Sequence, residues 1–62
     1  MIQYLVFQQG CGSYIVNAES PVRAIQAVLL VTDTVADGWA VHRMDEYNSK
    51  LRATLMTRCT VL

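Results

Sequence analysis

The sequence predicts an α+β fold: a two-layer ββαββ arrangement, with one helix packed on a mainly antiparallel four-stranded sheet. Three observations carry that prediction. Two apolar runs near the N-terminus flank a glycine pair, which is the signature of a hairpin. Ser20-Pro21 then opens a segment of helical periodicity. Two later segments, 39–45 and 51–62, are rich in the residue types that favour strands. One helix covering one face of such a sheet buries the apolar side of both.

The first strand is expected over Met1 to Phe7, M-I-Q-Y-L-V-F. Ile2, Tyr4 and Val6 fall on one face and Leu5 and Phe7 on the other, with Gln3. Apolar residues on both faces suit an internal strand, or one covered on its second side. Gln8 to Ser13 supplies Gly10 and Gly12, where a tight connection needs positive φ or close approach. Tyr14 to Ala18 is the return strand.

Serine before proline is a strong helix start. The hydroxyl accepts from a first-turn amide, and proline at the first helical position loses no bond it would have made. The helix is expected to run to Val31 or Thr32, with the next turn at Asp37-Gly38. At 100° per residue, Val22, Ile25, Val28 and Leu29 form its apolar stripe. Ala24, Ala27 and Val31 widen that stripe. Leu30 projects into the polar side between Arg23 and Gln26, the helix's only clearly polar interior positions.

Trp39 to Asp45 is expected as the third strand and Glu46 to Lys50 as a polar loop. Leu51 to Leu62 alternates, with Leu51, Ala53, Leu55, Thr57, Cys59 and Val61 on one face. Arg52, Thr54, Met56, Arg58, Thr60 and Leu62 take the other. Threonines at 54, 57 and 60 favour a fourth strand; a helix from Tyr47 to Met56 is the alternative. No internal repeat or low-complexity segment is visible.

A chain of 62 residues is one domain, and a domain of this size buries only about 60% of its unfolded surface. Yet 53% of residues are hydrophobic and 16% charged, against about 25% charged in typical domains. That balance points to an apolar surface larger than one small core hides, and so to self-association, with a dimer the simplest form. Five basic and five acidic residues cancel, so no net field steers the chain toward nucleic acid or a membrane. Two cysteines, Cys11 and Cys59, are too few for a disulfide scaffold and suggest free thiols in a reducing cytoplasm. The opening apolar run has no basic flank, which argues against a signal peptide, and no apolar run approaches the length of a membrane span.

The stretch Q-Q-G-C-G-S-Y at 8–14 resembles the motif around the nucleophile of papain-like proteases. The resemblance covers about six residues and departs at two points: Tyr14 stands where that family has a second cysteine, and the spacing is one residue short. Such a nucleophile also needs a helix N-terminus and a paired histidine, whereas the flanking runs here predict a hairpin. Cys11 is therefore taken as a turn residue. A thiol enzyme built on Cys11 and His42 ranks last among the functions considered, and no catalytic residue is assigned. His42 is expected on a sheet face and Trp39 as a cap on the core. Cys11, Cys59 and His42 lack metal-ligand spacing, and neither metal nor cofactor is expected.

What remains is a binding function without catalysis, exerted by occupying a partner surface or sequestering a ligand. Leu30, Tyr47, Met56 and Leu62 are the candidate partner-binding residues, the partner being a second copy or a host protein. In size and style the chain resembles the short proteins of bacteriophages and mobile elements, many of which inhibit host enzymes or defence systems. The alternative is a nucleotide or nucleic-acid binder using Arg43, Lys50, Arg52 and Arg58 on an open sheet face.

Overall fold

The computed structural model describes residues 1–8, 10, 12–32 and 38–62. Its order is β1 (Ile2–Gln8), β2 (Gly12–Ala18), α1 (Pro21–Thr32), β3 (Trp39–Arg43), a 3-10 turn (Met44–Glu46), α2 (Ser49–Arg58) and β4 (Thr60–Val61). The α+β class and the four-stranded sheet agree with expectation. The sheet runs β3-β1-β2-β4 and is mixed: β1 is antiparallel to both neighbours, while β4 lies parallel to β2.

The β1–β2 hairpin pairs Gln8 with Gly12 at its tip, and Gly10 and Gly12 both adopt positive φ, 83° and 106°. Neither conformation is comfortable for a side chain with a Cβ, which is why glycine occupies both. Cys11, placed by the sequence at this tip, lies outside the described residues, as does Asp37 of the later turn.

Ser20 starts α1 as expected. Its Oγ accepts from the Arg23 amide at 3.3 Å, and its carbonyl accepts from Ala24 at 3.0 Å. The helix crosses one face of the sheet and returns the chain to place β3 beside β1. Tyr4, Val6, Val16 and Ala18 of the sheet bury against Ala24 and Val28, with Ile25, Ala27, Trp39 and Val41 packed around them.

Two expectations need correction. The third strand stops at Arg43 rather than Asp45, because Met44 turns beneath the second sheet face, where it is 1% exposed. The span 51–62 is not one strand: it forms α2 followed by a two-residue β4. The expected polar loop over Glu46 to Lys50 is accordingly shortened.

Asn48 explains the helix. Its side-chain oxygen accepts from the Leu51 amide at 2.8 Å, a cap that nucleates the first turn. The threonines taken as strand formers bond back along the helix instead, Thr54 to the Lys50 carbonyl and Thr57 to the Thr54 carbonyl. Arg58 sits in the last turn, where a cation favours the helix dipole.

The sheet's second face is thus not open. Leu5, Ile15 and Met44 form a smaller core there, with Phe7, Tyr47, Leu55 and Cys59 against it. β1 is internal in the sheet and covered on both faces, which accounts for its apolar residues on both sides.

Candidate interaction surfaces

α1 carries more apolar surface than the sheet consumes. Ala24 and Val28 point inward and are fully buried. On the opposite side Val22, Gln26 and Leu30 form an i, i+4, i+8 row pointing away from the sheet. Leu30 is 86% exposed and Val22 63%, and Val31 in the last turn is equally open at 63%. Arg23 lies beside this row, its guanidinium 3.5 Å from the Gln26 amide oxygen.

The other three candidates lie elsewhere. Met56 stands on α2, over the second face, where its sulfur accepts a long hydrogen bond of 3.8 Å from the Gln3 amide nitrogen. Tyr47 is half-buried against the Leu5–Ile15–Met44 core rather than projecting from a polar loop. Leu62 follows β4, and its amide donates to the Ile15 carbonyl at 2.9 Å. Leu30 therefore shares no patch with Met56: the sheet stands between them.

The four basic residues do not form a sheet face. Arg43 ends β3 and makes a two-pronged ion pair with Asp45, at 3.1 Å and 2.6 Å. These hydrogen bonds hold the Asp45 carboxyl below its ordinary range and raise the Arg43 guanidinium. Lys50, Arg52 and Arg58 stand on α2 instead of a strand. At 100° per residue, Arg52 is turned about 160° from Lys50, whereas alternation would have set all three on one side.

His42 is exposed, its ring stacked on Phe7 with centroids 5.8 Å apart and planes 13° apart. Trp39 packs against the α1-side core and meets the Tyr14 ring at 6.3 Å, in the capping position expected of it. Cys59 is a free, half-buried thiol against the second core. Among the described residues, no cluster of three or more His, Cys, Asp or Glu side chains is placed to hold a metal ion. None of their helices is long and apolar enough to cross a membrane.

Two further features were missed in the sequence. An open hollow of about 370 Å³ lies where β2 meets α1, lined by Met1, Asn17, Ala18, Glu19, Arg23 and Ala27. β3 stands at one end of the strand order, beside β1 alone among the four strands. The W-A-V-H-R run marks that strand, but only the order β3-β1-β2-β4 reveals that it is an edge.

Comparison of the chain with protein-family profiles, curated proteins and solved structures finds no match.

Proposed function

We propose that the chain is a small binding protein that self-associates and works by covering a surface, without chemistry of its own. The supporting observation is the outer row of α1, where Leu30 at 86% and Val22 at 63% exposure face water. The total exposed area, 4215 Å², is close to the roughly 4000 Å² expected of a compact monomer of this mass. What stands out is the character of the surface, not its amount.

A second copy fits that row. Two α1 helices packed about a two-fold axis set Val22 and Leu30 of each against the other, the commonest symmetry for identical chains. Fully burying such side chains contributes about 1.5–3 kcal/mol each, against at least about 4 kcal/mol lost in association. The row alone thus supports weak pairing, and the measurement belongs at tens of micromolar.

Leu30→Glu is the test, read by sedimentation velocity. A carboxylate buried without a partner is strongly disfavoured, so the variant should sediment as a lighter species than the parent while keeping its circular dichroism. A parent heavier than a monomer whose mass is unchanged by Leu30→Glu would sink the α1 contact.

A further inference from the structure

We propose that the hollow between β2 and α1 is the seat for Leu30 of a second copy, two chains pairing with their α1 helices antiparallel so that each leucine enters the other's hollow. The inference rests on the self-association proposed above. It adds what the leucine meets and in which direction the helices run.

One chain carries both halves of this contact. Leu30 is the most exposed large apolar side chain of α1, at 86%. The hollow, about 370 Å³, has Ala18 and Ala27 in its lining, with Met1, Asn17, Glu19 and Arg23 about them. The two alanines are small, and the space they leave admits a branched aliphatic side chain from outside.

Leucine and hollow also stand on one line of the helix. Seven residues separate Arg23 from Leu30, and at 100° per residue the two differ in direction by only about 20°. Along the axis they lie about 10.5 Å apart. A two-fold axis midway between them, level with Gln26 and Ala27, lays that line antiparallel on itself. Leu30 of the second copy then comes level with Arg23 and the first hollow, and the first Leu30 with the second hollow. Val22 stands on the far side of the same leucine, so the outer row is covered as well. Parallel pairing instead sets Leu30 against Leu30 and leaves both hollows empty.

Charge favours the antiparallel direction. α1 has no basic residue in its last turn, so nothing on the helix balances the negative end of its dipole. Arg23, whose guanidinium reaches toward Gln26 at 3.5 Å, comes level with the last turn of the second copy's α1 and brings a cation there. Its methylene stem stays as a wall of the hollow, a surface on which leucine packs. In a parallel pair the two Arg23 side chains would stand level with each other, and α1 holds no acid to separate them.

Filling the hollow tests the seat. Ala27→Phe and Asn17→Trp bring a ring into it from the helix and from the strand. Each should weaken association roughly tenfold in sedimentation velocity, although each adds apolar surface. A contact made by the outer row alone would be unchanged or tightened. Circular dichroism verifies folding, and either variant decides the matter if the other fails to fold.

The direction is tested by disulfides, in a Cys11→Ala, Cys59→Ala background and at concentrations where the parent associates. Arg23→Cys with Leu30→Cys should oxidise to a covalent dimer bridged from 23 to 30, whereas either change alone should not. Within one chain the two positions are too far apart to bridge. Weakening by the filled variants together with this bridge supports the proposal. Filled variants that keep or exceed the parent's mass overturn the seat and leave the α1 contact standing. A missing 23–30 bridge, or one formed by Leu30→Cys alone, overturns the antiparallel pairing. A folded parent that is monomeric at hundreds of micromolar overturns the seat along with the α1 contact on which it rests.

Discussion

The two helices cover opposite faces of one sheet and do so unequally. α1 buries Ala24 and Val28 completely, in a core that also takes Tyr4, Val6, Val16 and Ala18. α2 buries no residue completely; Leu55 and Cys59 rest half-exposed on the three-residue core of Leu5, Ile15 and Met44. The outer sides differ in the same direction. α1 shows water Val22, Leu30 and Val31, whereas α2 shows it Lys50, Arg52, Thr54, Thr57 and Arg58 along with Leu51 and Met56. The helix already best packed inside thus carries surplus apolar side chains outside. Core formation does not require that surplus, which is why the proposed contact with another chain is placed there.

α2 is held chiefly by its ends. Asn48 caps the start, and at the finish the Cys59 amide donates to the Leu55 carbonyl at 2.9 Å before β4 joins β2. A helix held this way opens locally at lower cost than one embedded along its length.

The contrast between the faces can be broken in order of expected size. Met44→Ala should cost about 3 kcal/mol, since it empties one of the two best-buried positions of the smaller core. Thermal or urea unfolding reads it, and a loss under 1 kcal/mol would mean that this core collapses around the gap. Val28→Ala, beneath α1, should cost about 2 kcal/mol, and Leu55→Ala, half-exposed on α2, about 1 kcal/mol. Equal losses at these two positions would show α2 to be as embedded as α1.

The caps come next. Asn48→Ala should cost about 1 kcal/mol and selectively speed amide exchange in α2, because little else secures that helix's start. Ser20→Ala should cost about 0.5–1 kcal/mol, its bond being longer and its helix better packed. If the Ser20 change proves the more damaging, the ranking of the two helices is reversed.

Asp45→Asn should matter least, because its ion pair with Arg43 is exposed on the surface. The folded carboxyl is held below its ordinary value, chiefly by the Arg43 hydrogen bonds. Its stabilisation is therefore complete above the ordinary carboxylate range and is lost as pH falls through the lowered value. The gap between parent and variant should close on acidification; a gap that widens would contradict the pairing.

This asymmetry also explains what was legible in the sequence. The β1–β2 hairpin and the start of α1 were, because glycines 10 and 12 and Ser20-Pro21 agree with one another; the facing of α1 was not, since the expected stripe was centred on Val22, Ile25, Val28 and Leu29, whereas Ala24 and Val28 are the buried residues and Val22 is turned to water. α2 was only the second choice, as a helix from Tyr47 to Met56, because its burial is slight, so alternation and threonine content outweighed the helical spacing of Leu51, Leu55 and Cys59. Asn48 ahead of that spacing was the signal that could have corrected it. With that strand went the basic sheet face expected of Lys50, Arg52 and Arg58. Leu30 was legible as an apolar residue on a polar side, and the structure leaves it in water. The β3 edge was not legible, since strand order depends on which neighbours the two crossovers reach.

Self-association is the central claim, and sedimentation velocity of the unmodified chain from about one to a few hundred micromolar tests it most directly. The account predicts a mass above the monomer that rises with concentration, as weak contacts between identical chains require. A soluble, folded monomer across that whole range would contradict it.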